Sequence, residues 1–249
     1  MSAITLYNFP QSTCSQKVRL TLWEKGIPYD DHIVDHAGRE HLGEAYLRLN
    51  PNGVVPTITH GEAVIVDSSV IMEYLDEVFP DRPMSPSDPI GRAHMRKWLR
   101  YLEEVPTPAI RVPSFNRFLS QRYRTMGDKQ YAEMADRHPL RKHFYRRMNK
   151  VGFGAEETAE SLERLDQAAQ RFSDALSAHG KEWIMGDDIT IADAAYLPTV
   201  DRMIDLGLGD TIRDRPALAA WYERYAARDA FRKTFYKGTR LTDIFSDAV

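Results

Sequence analysis

Ile4-Thr5-Leu6-Tyr7-Asn8-Phe9-Pro10-Gln11-Ser12-Thr13-Cys14-Ser15-Gln16-Lys17-Val18 decides how this 249-residue chain is read. The β-prone run Ile4–Phe9 is stopped at Pro10. Small polar residues then open a helix. From about Ser15 to Lys25, Val18, Thr21, Leu22 and Trp23 fall on one face, and Gly26 suits the position after a helix end. A short strand feeding a helix through a polar turn begins an α/β domain.

Reading outward, Tyr29–Val34 is a second strand, and a polar helix over about Arg39–Leu49 carries Leu42, Tyr46 and Leu49 at helical spacing. Asn50-Pro51-Asn52-Gly53 is turn chemistry. Val54–Thr59 and Ala63–Val66 are strands joined by His60-Gly61. Ser68–Phe79 is a helix whose buried stripe is Val70, Ile71, Tyr74, Leu75 and Val78. The order is β-α-β-α-β-β-α. Four prolines in 80–89 mark a linker. Everything beyond reads as helix: Ala93–Val105, broken by Pro106 and Pro108; Ala159–Ala178, with Leu162, Leu165, Ala169, Phe172 and Leu176 on one face; Thr190–Ile204; and Pro216–Ala227. The expected organisation is an α/β domain over 1–80, a linker over 81–90 and an all-α domain over 91–249.

Composition narrows the function classes. No apolar run reaches the ~18 residues of a membrane span, and no basic region precedes the first apolar stretch as in a secretory signal. One cysteine forbids an internal disulfide and favours a reducing cytoplasm. The net charge of −3 covers an asymmetry, with five basic and eleven acidic side chains in residues 1–80. Residues 111–150 carry eleven basic against three acidic. A pI near 6.3 argues against a nucleic-acid binder, so this stretch reads as a solvated face or an anion-tolerant pocket rim.

Cys14 is the strongest chemical signal. A lone cysteine is most often a small buried apolar residue. Here, however, polar neighbours place it where unpaired N–H groups and the positive end of a helix face the sulfur, the setting of a nucleophile. Ser12, Thr13 or Ser15 can cap the same helix. Val55-Pro56 opens a strand, and a cis bond there would turn the Val55 N–H and C=O toward an extended peptide ligand. Asp67 and Ser68 precede the third helix as caps, or as holders of an amine and a carboxylate. Thr190 and Asp193 fit a structural capping box. Tyr7 reads as packed, and His138 and His143 as solvated. No histidine has metal-ligand spacing with a carboxylate.

Ser-x-Cys-Ser at 12–15, Asn-Pro-x-Gly-x-Val-Pro at 50–56, Asp-Ser at 67–68, the linker, and Gly-x-x-Ile-Thr-x-Ala-Asp at 186–193 together resemble the cytosolic glutathione S-transferase superfamily. The N-terminal motif is similar to that of the zeta class and of bacterial tetrachlorohydroquinone reductive dehalogenase. Leu49–Pro80, and the long connection over about 106–155, are closer to the bacterial lignin β-etherases. The resemblance implies a thioredoxin-like domain joined to an all-helical one, a cytoplasmic homodimer, glutathione as co-substrate and no metal. It places a catalytic group among Ser12, Cys14 and Ser15. It puts Val55, with a cis Pro56, against the cysteinyl unit of glutathione, Asp67 and Ser68 at its γ-glutamyl end and His41 at its glycine end. Phe9, Val112, Phe115, Phe118 and Tyr123 are candidate walls for a small hydrophobic electrophile, or alternatively helical core. The implied activity is attack by glutathione thiolate on an aromatic or aryl-ether carbon, displacing halide or aryloxide. The competing expectations are a monothiol glutathione-dependent oxidoreductase, a zeta-type isomerase and a non-catalytic scaffold.

Overall fold

The computed structural model describes residues 3–245; Met1, Ser2 and the last four residues of the expected helical domain lie outside that range. Strand β1 (Ile4–Asn8) buries alternate residues Ile4, Leu6 and Asn8, as its period-2 pattern requires. It runs parallel to β2 (Tyr29–Ile33), with Ile4 opposite Tyr29, and antiparallel to β3 (Thr57–His60), with Leu6 opposite Ile58. Strand β4 (Ala63–Val66) completes the order β2-β1-β3-β4. The exposed Asp30, Asp31 and His32 on edge strand β2 discourage pairing with another chain. Tyr7 packs as expected, its ring 4.8 Å from that of His32 and 6.2 Å from that of Tyr46.

Helix α1 (Thr13–Lys25) is buried on nearly every side, because it lies between the sheet and the helical domain and packs on helices from both. Its polar residues are therefore buried with partners. Lys17 bonds Glu103 and, at 3.2 Å, Thr107 Oγ1; Lys25 reaches Asp76 at 2.6 Å. The expected helix over 39–49 is instead a 3-10 turn (Glu40–Leu42) and α2 (Glu44–Leu49), since Gly43 between them adopts an extended backbone. The expected strand over 54–59 begins only at Thr57. The Val55-Pro56 bond is cis, and proline has no N–H for the ladder. Helix α3 (Ser68–Val78) closes the thioredoxin-like domain. Val70 on it, and Leu162 in the helical domain, are exposed rather than part of the expected stripes.

The helical domain begins with α4 (Pro89–Glu104). Pro89 occupies the first turn, and Asp88 caps it by accepting the Gly91 N–H at 2.8 Å. The long connection that follows is helical in short pieces: α5 (Pro106–Ala109), α6 (Arg111–Arg117), α7 (Asp128–Asp136) and α8 (Lys142–Met148). These enclose a small second core of Val112, Phe115, Tyr131, Met134, Tyr145 and Met148. Then come α9 (Ala155–His179), α10 (Ile191–Asp205), α11 (Gly209–Arg213), α12 (Pro216–Ala226) and α13 (Asp229–Thr234). The Thr190–Asp193 capping box forms as the sequence predicts. Among the described residues, no helix is long and apolar enough to cross a membrane.

Candidate active site

The loop Pro10–Ser12 is pinned by α1 and by the helical domain. Gln16 Nε2 donates to Pro10 O and Thr239 O, both at 3.1 Å, and Arg19 donates to Pro10 O at 2.6 Å. From α10, Arg202 donates to Gln11 O at 2.7 Å. This bracing sets the start of α1 at the mouth of a cleft between the two domains. Ser12 is the helix cap, its Oγ accepting the Ser15 N–H at 3.3 Å. A hydroxyl that accepts keeps its own hydrogen to donate. Ser12, Thr13 and Cys14 line the cleft, and the Cys14 thiol is half-buried. Ser15 does not line it: the side chain is wholly buried and its hydroxyl has no partner among the described residues.

The floor is the segment before β3. Tyr46 Oη donates to Val54 O at 2.7 Å, and Asn50 Nδ2 reaches Val54 O at 2.8 Å and Thr57 Oγ1 at 3.0 Å. These bonds hold Val54–Thr57 around the cis bond. Among the described residues the Val55 N–H and C=O take no hydrogen bond, leaving one backbone edge open to the cleft. Gly53 also lines the cleft. Its φ of +60° favours glycine, and a Cβ there would also crowd Leu42 and Pro139.

Asp67 and Ser68 stand at the start of α3, outside the lining of this cleft. Asp67, at φ 73°, is the cap, its Oδ1 accepting the Ser69 N–H at 3.0 Å and the Val70 N–H at 3.2 Å. The buried Ser68 keeps its N–H and hydroxyl without intramolecular partners among the described residues. His41 is 5% exposed, lines the cleft, and has an Nδ1 without a partner among the described residues. Phe9, Phe115 and Tyr123 form walls, whereas Val112 and Phe118 are packed into the two cores.

Several cleft residues were not singled out by the sequence as site residues. His36 stacks on His41 with ring centroids 5.1 Å apart, and His138 lies 5.8 Å from His41. His138 is buried, contrary to the expectation of a solvated side chain, because its Nδ1 meets Met134 O at 2.9 Å and its ring packs on Tyr145. Arg111, Arg122 and Arg141 complete the rim. Their only signal in the sequence is the basic excess over 111–150. Burial, then the neighbouring His36 and His138, holds His41 down at about 4. Burial with Arg122 and His138 does the same to His36.

Both histidines bind a proton more readily in the unfolded chain, whose ordinary value is near 6.5. Between pH 6.5 and 4 the unfolded state therefore holds more protons, and stability falls as the solution is acidified. At pH 5 the expected loss relative to pH 7.5 is on the order of 1–2 kcal/mol, allowing for solvent screening of the half-exposed His36. Urea midpoints at the two pH values measure it. A His36→Gln/His41→Gln double variant should flatten the difference, and an unchanged slope would show that other groups carry it.

With this geometry in view, comparison with known proteins is decisive. Residues 11–78 match the family "Glutathione S-transferase, N-terminal domain", and residues 155–224 match its C-terminal domain. Glutathione S-transferase 1 of Dianthus caryophyllus is 30% identical over 227 residues, covering 91% of this chain and 89% of its own. The chain belongs to the glutathione S-transferase family. The enzyme is also 30% identical over 243 residues to tetrachloro-p-hydroquinone reductive dehalogenase of Sphingobium chlorophenolicum, covering 93% of this chain and 95% of the other. Protein LigF of Sphingobium sp. is 27% identical over 246 residues, 95% of each chain. The crystal structure of β-etherase LigF superposes with a TM-score of 0.84, covering 94% of this enzyme and 98% of LigF. Enzymes of this family use glutathione as co-substrate. Among the described residues, no group of three or more His, Cys, Asp or Glu side chains could hold a metal ion.

Proposed function

We propose that the enzyme attacks an aromatic or aryl-ether carbon with the thiolate of bound glutathione and displaces halide or aryloxide. The observation that carries this reading is the half-buried Cys14 beside the Ser12 cap, in a cleft that offers the free Val55 backbone edge on one side and aromatic walls on the other. Glutathione pairs with Val55, its glycine end lies at His41, and its γ-glutamyl carboxylate takes the unpartnered N–H and hydroxyl of Ser68, with Asp67 receiving the amine. Ser12 donates to the glutathione sulfur. Ser15 contributes only through the N–H that closes the cap.

The C–S bond forms as the carbon–halogen or carbon–oxygen bond breaks, and the leaving group departs with its electron pair. For a substrate that ends reduced, Cys14 then attacks the glutathionyl sulfur. The S–S bond forms, the C–S bond breaks, and the ring carbon keeps the electron pair and takes a proton from water. A second glutathione thiolate releases Cys14 and leaves as glutathione disulfide. Two glutathiones are oxidised as the ring is reduced. A cytoplasmic homodimer belongs to the same proposal, resting on the family resemblance and the single cysteine.

The experiment is thermal denaturation with and without glutathione. At ten times Kd a ligand specific for the folded state adds about 1.4 kcal/mol, a rise of a few degrees. Ser68→Ala should weaken binding by about 1–2 kcal/mol, the loss of a hydrogen bond to a charged group. No shift at millimolar glutathione would remove the co-substrate from this cleft, and an unchanged affinity in the variant would leave Ser68 a purely structural residue.

A further inference from the structure

Eight of the eleven basic side chains over 111–150 fall into two sets. Lys142 and Arg146 meet Asp136 at 3.5 and 2.6 Å, Lys150 meets Asp128 at 2.6 Å, and Arg147 meets Glu157 at 2.9 Å. Arg117 donates to Leu206 O. These lie away from the cleft. The arginines that line it behave otherwise. Arg122 contacts His36 Nδ1 at 3.3 Å and lies over the Phe245 ring, while the side chains of Arg111 and Arg141 make no ion pair, hydrogen bond or aromatic contact among the described residues. No aspartate or glutamate lines the cleft among those residues.

Two guanidinium groups lining one partly closed cleft, with no carboxylate among the described residues that line it, repel each other and lose hydration. Burial, and then Arg111, disfavours the charge on Arg141. The second core of α6–α8 holds this arrangement rigidly, since Arg111 opens α6 and Arg141 immediately precedes α8. An anion between the two would relieve both costs, and the planar fork of arginine suits a carboxylate. Phe115 and Leu119 supply apolar wall for a ring beside that anion.

We propose that the second substrate is an aromatic acid whose carboxylate is held by Arg111 and Arg141, with its ring against Phe115 and its electrophilic carbon toward Cys14. This rests on the reading above for the placement of glutathione and for the chemistry that follows binding. The carboxylates of glutathione are assigned to Ser68 and to His41, so the two arginines of the helical domain are left for the other substrate.

The test is equilibrium binding of 3,5-dinitrobenzoate and of its methyl ester, by calorimetry on the whole chain saturated with S-methylglutathione. Neither ligand can react, so catalysis does not enter. The acid should bind at least about tenfold tighter than the ester. Arg111→Met and Arg141→Met should each remove most of that preference while leaving S-methylglutathione within about twofold. Because neither arginine has a partner to lose, both variants should melt at the wild-type temperature or slightly above it. Equal binding of acid and ester overturns the proposal, as does a variant that weakens S-methylglutathione and leaves the acid unchanged. Turnover of 4-chloro-3,5-dinitrobenzoate is followed separately. If the acid is preferred and no chloride is released, the site stands and the displacement chemistry falls.

Discussion

A Cys14→Ser variant is expected to keep binding glutathione and to keep forming a conjugate with an aryl halide, while losing every step that needs a mixed disulfide. Serine is close to isosteric with cysteine, and at position 14 it leaves the Ser12 cap and the first turn of α1 undisturbed. The hydroxyl cannot exchange with a glutathionyl sulfur, so a substrate that should end reduced ends as the glutathione conjugate. Product analysis of a chlorinated hydroquinone reaction, by mass spectrometry and by assay of glutathione disulfide, reads both outcomes. Disulfide output should fall by at least about a thousandfold, some 4 kcal/mol in barrier. If reduced ring and glutathione disulfide persist, Cys14 packs and does not resolve. Under the monothiol oxidoreductase alternative, the variant loses reduction of an added disulfide substrate, while thiolate addition to an aryl halide survives.

Asp193→Ala is expected to destabilise the fold severely. The carboxylate is fully buried at the start of α10. Its Oδ1 accepts from the Ile184 N–H at 3.0 Å and from Trp221 Nε1 at 2.9 Å. Its Oδ2 accepts from the N–H and the hydroxyl of Thr190, both at 2.9 Å. Alanine would leave four buried donors without an acceptor, at a cost of about 3–5 kcal/mol. For a chain of this size that lowers Tm by roughly 10 °C. Asp193→Asn should be nearly as damaging, since one of its two acceptors becomes a donor facing donors. Calorimetry decides it. A shift of only a degree or two would mean that water replaces the carboxylate.

The capping box around this aspartate was legible because both partners lie within four residues of each other. Trp221 was not, being 28 residues away on α12. The same division runs through the candidate site. The helix start at Ser12–Cys14 could be read because its chemistry is local: a strand, a proline stop, small polar residues, then a helix. The turn at 50–53 and the hairpin at Gly61 were readable for the same reason, as glycine at positive φ is demanded by the turn itself. Helix α1 gave a misleading apolar face. Two domains cover it, and its polar residues Gln16, Lys17, Arg19 and Lys25 are buried against partners that no periodicity reveals.

By itself the sequence determined the order of elements, an α/β part followed by a helical one, the family and the position of the one thiol, because each depends on residues close together or on motifs in fixed order. Only the tertiary structure decided what faces that thiol. It packed 106–153 into a second core and brought Arg111, Arg122, His138 and Arg141 to one cleft with His36 and His41. It sent Val112 and Phe118 inward, while Phe115 and Tyr123 became walls. A helical stripe of aromatic and basic residues states which side chains share a face. Whether that face meets a core, solvent or a substrate depends on elements a hundred residues away, and local spacing carries no information about them.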